Sequence, residues 1–276
     1  MPKSKIPEEL IKHAWHTYLT TGDMPASLNP PWFERKTFRP LIKRLPQSPR
    51  CRVCYIPFEG VGGYLSKTLL KVEASKLNPY MCNLCENFAT EYHGGAEVEI
   101  SIMFVDVRGS TSMAEQESPE AFSKKINRFY RAATEVFYRN NGWVEKLLGD
   151  EVAGFFVPGF AGGNFPRVAV EAGRQALKAM GYGGGKVKPW MPVGVGIHTG
   201  LAYVGSVEAA GGVSNISILG DSVNTAARLT ALAAPGELIV SDATMQAAGM
   251  KTEGWEARCL TLKGKREPVD VWVWKA

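Results

Sequence analysis

Residues 100–111 read I-S-I-M-F-V-D-V-R-G-S-T. The apolar run over 100–105 has the length and composition of a buried strand. It delivers one carboxylate, Asp106, into a short turn made by Val107, Arg108 and Gly109. Ser110 or Thr111 then suits the N-cap of a helix expected from about Ser118 or slightly earlier. A strand that ends on an acid and opens a glycine turn can hold both a metal and a phosphate. The carboxylate offers hard oxygen ligands, and the backbone N–H groups of Gly109, Ser110 and Thr111 offer anion contacts. Many strands end in Asp, so the partners must come from elsewhere in the chain.

Downstream, residues 118–141 carry Phe122, Ile126, Phe129, Tyr130, Ala133, Val136 and Phe137 on one side of a helix, stopped by Asn141-Gly142. Residues 143–148 and 151–157 read as two strands joined at Gly149-Asp150. Gly and Asp are preferred hairpin residues, so Asp150 could be a turn residue alone. If its strand neighbours that of Asp106, the two carboxylates converge and can hold one or two divalent ions. A second helix is expected over about 165–181. Residues 193–198 and 201–207 are expected to form a hairpin through Thr199-Gly200. Residues 215–219 read as a strand, 221–233 as a helix, 237–240 as a strand and 242–249 as a short helix. The stretches 256–263 and 268–274 are expected to close as a hairpin. Strands and helices punctuated by hairpins imply an α+β sandwich, one sheet with helices on a face, rather than a doubly wound fold.

A third polar cluster follows the strand at 215–219. Asn224 and Arg228 are four apart in the helix behind Gly220-Asp221-Ser222, so they share a helical face. An amide and a guanidinium there can donate to a ribose and to charge developing on a phosphate.

The first third of the chain differs in character. Residues 1–95 hold 13 Lys/Arg against 8 Asp/Glu, which accounts for the whole net charge of +5. No block of like charge is long enough to dominate, so a solvated face is the expected reading and no nucleic-acid partner is implied. Residues 7–20 look helical, with Pro7 at the start and Gly22 at the end. His13 and His16 lie three apart on that helix, beside its packed stripe. Residues 23–33 are Pro-rich and 32–45 are aromatic and basic. Cys51-x-x-Cys54 and Cys82-x-x-Cys85 then present two thiol pairs 27 residues apart, with Cys259 standing alone. Two such knuckles form a four-thiolate set suited to zinc, with an iron–sulfur cluster as the alternative. Between them lie a Gly-rich turn at Gly60, Gly62 and Gly63 and a helix-like stretch near 65–74. A domain boundary is expected near residue 95. It separates an N-terminal helical region, 1–95, that is regulatory or structural from a catalytic domain, 96–276. No apolar run reaches membrane-spanning length and no signal-peptide pattern opens the chain, so a cytoplasmic protein without a transmembrane segment is expected.

Five stretches carry a family resemblance: F-V-D-V-R-G-S-T at 104–111, K-L-L-G-D at 146–150, G-I-H-T-G at 196–200, I-L-G-D-S-V-N-T-A-A-R-L at 218–229 and L-K-G-K at 262–265. In this order and spacing they resemble the catalytic domain of the class III nucleotidyl cyclases, over about 97–276. The resemblance implies a ferredoxin-like α+β sandwich with an antiparallel-rich sheet. It implies that Asp106 and Asp150 bind two Mg²⁺ or Mn²⁺ ions, with the carbonyl of Val107 as a further ligand. Lys146 would contact the base, which fits adenine. Ser217 falls at the second base-selecting position, where adenylate cyclases of the family commonly carry Asp or Thr. Guanylate cyclases typically place Glu and Cys at these two positions. Asn224 would orient the ribose, Arg228 would stabilise the transition state and Lys263 would bind the terminal phosphates.

The family site lies between two catalytic domains, so a chain carrying both residue sets implies a homodimer with shared sites. The resulting expectation is an adenylate cyclase making cyclic AMP and pyrophosphate from ATP. Ser217 keeps a cyclic GMP or cyclic pyrimidine product in view, and a non-catalytic nucleotide-binding module is the third reading.

Overall fold

A computed structural model describes residues 7–23, 49–51, 56–75, 81–86, 93–184, 188–208 and 214–276. The Pro-rich and aromatic-basic segments expected over 23–45 lie almost wholly outside the described residues, as does Cys54. The chain divides into two compact units, one made of Met1–Val98 with Tyr203–Ser217 and one of Glu99–Ala202 with Ile218–Ala276.

In the first unit, α1 (Glu8–Thr21) ends at Gly22, whose left-handed backbone donates its N–H to Tyr18 O at 3.0 Å. Its buried side is Ala14, Trp15, Tyr18 and Leu19, four of the six residues of the expected apolar stripe; Leu10 is exposed and Ile11 half-buried. Glycine lets the chain pass close to that helix, because a Cβ on Gly94 would stand 2.9 Å from Ile11 Cγ2. A second helix, α2, spans Gly60–Leu69. The glycines read as a turn are therefore its first turns, and the helix stops short of residue 74. Close packing explains the difference, since a Cβ on Gly63 would lie 2.3 Å from the Phe58 carbonyl carbon.

The strands are β1 (Gly95–Val107), β2 (Trp143–Leu148), β3 (Glu151–Phe156), β4 (Val193–Glu208), β5 (Ser214–Leu219), β6 (Glu237–Ser241), β7 (Glu256–Leu260) and β8 (Val269–Lys275). They form a mixed, mostly antiparallel sheet in the order β2-β3-β1-β4-β6-β8-β7, with β5 paired to β4. The pairing of β4 with β6 is parallel. Residues 100–105 of β1 are all buried, as expected of a central strand covered on both faces.

The second unit's helices are α3 (Ser110–Gln116), α4 (Pro119–Arg139), α5 (Pro158–Ala161), α6 (Phe165–Ala179), α7 (Asp221–Leu232) and α8 (Asp242–Ala247). The larger core joins Met103, Val105 and Val107 of β1 to Phe129, Ala133 and Phe137 of α4 and to Ala169, Ala172 and Ala176 of α6. Phe137 stacks on Phe156 with ring centroids 5.7 Å apart, a contact of the kind whose truncation costs about 3–5 kcal/mol. A smaller core joins Leu229 and Ala233, at the end of α7, to Ile239, Leu262, Val271 and Val273. Leu238 and Val240 of β6 face the larger core while Ile239 faces the smaller one. Strand alternation thus puts α7 on the opposite sheet face from α4 and α6, and the expectation of helices on one face is corrected.

Two further expectations change. Thr199-Gly200 is not a turn, because β4 runs through it as one 16-residue strand. The Thr199 hydroxyl is buried against Ser101 Oγ at 2.7 Å. Gly200 makes room for α7, since a Cβ there would stand 2.6 Å from Ser222 Oγ. The helix after β1 is likewise two helices. Gly109 is the N-cap of α3, so neither Ser110 nor Thr111 caps it. Ser118 caps α4, accepting from Ala121 N at 3.2 Å.

Candidate active site

The carboxylates meet because β1 pairs antiparallel with β3, placing Asp106 directly opposite Glu151. The link between β2 and β3 is Gly149-Asp150, with Gly149 in the left-handed region at φ 62°. Two bonds pin this turn. Val107 N donates to Asp150 O at 3.0 Å, and the Tyr130 hydroxyl donates to Gly149 O at 2.6 Å. Three acids, Asp106, Asp150 and Glu151, therefore gather at one strand end.

Neighbouring polar groups hold them. The Arg108 guanidinium pairs with Asp106 Oδ2, and its Nε donates to Asp106 O at 3.3 Å. Ser110 Oγ donates to Asp150 Oδ2. This contact follows from the left-handed Gly109 at φ 72°, which turns the chain so that α3 starts at Ser110. Burial raises the Asp106 carboxyl above its ordinary value, and the nearby Asp150 charge adds to that against the opposing Arg108. Burial, together with the charges of Asp106 and Asp150, pushes Glu151 up to about 7. Neighbouring, partly buried carboxylates that raise one another's pKa offer the hard oxygen donors a divalent cation takes. Asp106 and Asp150 fit Mg²⁺ or Mn²⁺, the metals that class III cyclases use, and the Val107 carbonyl is a further ligand only by the resemblance.

Lys146 is exposed on β2, 3.6 Å from Glu145 Oε2, and its charge opposes the rise at Glu151. Thr111 is exposed on α3. A second group lies on α7, where Asn224 is exposed and Arg228 half-buried. Arg228 rests against the turn that carries Lys263, since a Cβ on Gly264 would stand 3.4 Å from Arg228 Nη2. The neighbouring Lys265 pairs with Asp221. Among the described residues, no hydrogen bond or ion pair joins the carboxylate group to the side chains of Asn224 or Arg228. Ser217 is half-buried on β5, within the first unit.

Sequence reading assigned no role to Glu151, Arg108 or Tyr130. For Glu151 a signal existed. Pairing β1 with the strand after Gly149-Asp150 puts residue 151 opposite residue 106. Tyr130 was read only as part of an apolar helix side.

In the first unit, Cys51, Cys82 and Cys85 are buried, and their sulfurs all lie within 4.8 Å of one another. Cys259 is separate and exposed on β7, its thiol pushed up by a hydrogen bond with Asp270.

Residues 95–275 match the family model of the adenylate and guanylate cyclase catalytic domain. The chain belongs to this family. Among curated relatives of this cyclase domain, an uncharacterized protein of Mycobacterium tuberculosis is 28% identical over 180 residues, covering 64% of this chain and 32% of the relative. A second uncharacterized protein, from Mycobacterium bovis, is 27% identical over 179 residues, with 63% and 32% covered. The chain thus matches about a third of the length of these relatives. Among solved structures, the guanylyl cyclase Cya2 has a TM-score of 0.57 at 26% identity, covering 66% of this chain and 95% of that one. The adenylyl cyclase CyaB from P. aeruginosa also has a TM-score of 0.57, at 24% identity, with 65% and 95% covered, and shares the α+β fold. Among the described residues, no helix is long and apolar enough to cross a membrane.

Proposed function

We propose that this cyclase domain converts ATP into 3′,5′-cyclic AMP and pyrophosphate. The observation that carries the chemistry is the meeting of Asp106, Asp150 and Glu151 beside the Gly109 turn. The choice of adenine rests on Lys146 at the position that contacts the base.

In the reaction the ribose 3′-hydroxyl gives its proton to solvent water and attacks the α-phosphorus. A new P–O bond forms, the bond to the β-phosphate oxygen breaks, and pyrophosphate leaves with its electron pair. Divalent ions held by Asp106, Asp150 and the Val107 carbonyl would supply positive charge to the triphosphate and the attacking oxygen. Arg108 and Ser110 fix the two acids. The backbone of Gly109, Ser110 and Thr111 receives phosphate oxygens. Lys146 and Ser217 read the purine edge, where a serine hydroxyl both donates and accepts. Asn224 orients the ribose, Arg228 meets charge that grows at the α-phosphate, and Lys263 binds the terminal phosphates.

The acids and the Asn224–Arg228 pair are assigned to different protomers of a two-fold homodimer, giving two equivalent sites. Leu147, Leu148 and Leu219 are large apolar side chains exposed on the catalytic unit, 46%, 63% and 54% exposed, which a partner surface would cover. Residues 1–95 form a cytoplasmic regulatory or structural region whose four cysteines bind a metal, ahead of the catalytic domain 96–276.

Incubation with each of the four nucleoside triphosphates and Mn²⁺, followed by separation of cyclic products, tests the assignment. Cyclic AMP from ATP is expected, and its absence with every metal overturns it. Ser217 and the likeness to Cya2 favour a second reading. Cyclic GMP as the main product would establish that reading instead.

A further inference from the structure

We infer that Cys51, Cys82 and Cys85 bind a single structural zinc ion and not an iron–sulfur cluster; Cys54, the remaining thiol of the two C-x-x-C pairs, lies outside the described residues. The inference rests on the metal-binding reading of this region and narrows it to one ion.

Each thiol-bearing segment is pinned by its own backbone bonds. On one side, Cys51 N donates to Ile56 O at 2.8 Å and Phe58 N to Pro49 O at 2.9 Å, beside an antiparallel bridge between Arg50 and Pro57. On the other, Ser75 N donates to Met81 O at 2.7 Å and Asn83 N to Glu73 O at 3.0 Å, beside a bridge between Ala74 and Cys82. Asn83 Nδ2 adds a bond to Lys71 O at 3.1 Å. Backbone bonds thus hold the residues that carry Cys51 and Cys82.

Two of the sulfurs also accept backbone hydrogen bonds. Cys82 N donates to Cys51 Sγ at 3.3 Å, and Cys85 N donates to Cys82 Sγ at 3.4 Å. A neutral thiol sulfur is a weak acceptor, whereas a thiolate is a strong one. Buried cysteines can pack as small apolar groups. That reading does not explain three sulfurs drawn together from two segments with N–H groups aimed at them.

Geometry separates one ion from a cluster. Zinc–sulfur bonds of about 2.3 Å give a tetrahedron with edges of about 3.8 Å. The observed 4.8 Å envelope accommodates those edges. In a [4Fe–4S] cluster each iron takes one protein thiolate, and in a [2Fe–2S] cluster each takes two. Three mutually adjacent sulfurs therefore suit one metal centre. The exposures of Cys51, Cys82 and Cys85 are 0%, 0% and 3%. Sulfurs shut away from water, in a region outside the cyclase match, suit a structural ion.

The test uses the full chain purified without a polyhistidine tag. Elemental analysis should find one zinc per chain. With the ion bound, a thiol reagent should modify only Cys259, and a chelator should raise the count to five cysteines. Replacement with Co²⁺ should give the visible spectrum of tetrahedral thiolate coordination. Cys85→Ser should lose zinc, whereas Cys259→Ser should keep it. Iron with acid-labile sulfide would overturn the single-ion inference while upholding the metal-binding reading. One iron without sulfide would overturn zinc alone. No metal, or a mass 2 or 4 Da low from disulfides, would overturn both. The chelator measurement on the unmodified chain decides the matter even if the cysteine variants fail to fold.

Discussion

Replacing His198 with glutamine should flatten the acid side of the catalytic unit's stability profile. His198 lies on β4, mostly buried, with Nδ1 2.8 Å from Ser241 Oγ. Burial is the main reason its pKa falls from 6.5 to about 4. The Lys265 ammonium adds to the shift and Asp221 opposes it. The neutral ring is therefore favoured in the folded state. Between pH 6.5 and 4 the unfolded chain takes up a proton that the folded chain does not. The stability contribution is fully present above about pH 6.5 and is lost as pH falls through this window. At about 1.36 kcal/mol per pKa unit, the loss reaches roughly 2 kcal/mol at pH 5 and roughly 3 kcal/mol at pH 4. Glutamine cannot titrate, yet it can still bond to Ser241. Urea unfolding of both proteins from pH 8 to pH 4 isolates the effect, because every other titration is common to the pair. The unmodified protein should lose about 2 kcal/mol more than the variant between pH 8 and pH 5. Parallel losses would show that His198 is not held neutral by its surroundings.

Arg228→Ala should lower turnover on the order of 10²–10³-fold while far-UV circular dichroism stays unchanged. A change under tenfold would remove it from transition-state stabilisation. Asp106→Ala should be inactive alone, and mixing it with Arg228→Ala should restore about a quarter of normal activity. Half of the randomly mixed dimers would then carry one intact site of two. Failure to rescue, with subunit exchange verified, would sink the shared-site model. Glu237 is held below the usual carboxylate range chiefly by Arg258, which donates to it at 2.7 and 3.2 Å. The stabilisation is present above the ordinary glutamate pKa near 4.5 and fades as pH falls. Arg258→Ala should cost roughly 1.5–3 kcal/mol at pH 7, and less as acid protonates Glu237, while its second partner Glu256 holds its charge down to about pH 2; a cost that does not fall at all with pH would refute the Glu237 pairing.

Much of this site was legible because it is built from local signals. The apolar run ending at Asp106, the Gly149-Asp150 hairpin and the Asn141-Gly142 stop each depend on a few adjacent residues. The structure reproduces all three, with Asn141 at φ 57°. What escaped reading depends on residues distant in sequence. Thr199-Gly200 resembles a turn until Ser101 and Ser222 are known to pack against it. Ser110 resembles a cap until Asp150 is found within its reach. Glu151 gains meaning only from strand register. The α2 glycines look like a loop because no local rule records that Phe58 lies against the helix.

The two compact units are not consecutive stretches of chain. The first recruits Tyr203–Ser217 from within the region that matches the cyclase family. Tyr203 on β4 lies near α1, where burial and the Glu8 charge raise its hydroxyl, and Ser206 N donates to Gly94 O at 2.8 Å. The N-terminal part is therefore no cassette to be exchanged at one junction during evolution. A foreign N-terminal module spliced on at residue 95 would meet a tip of β4 fitted to the module it had displaced. Lineages that kept this N-terminal region would be expected to change residues 203–206 in step with it.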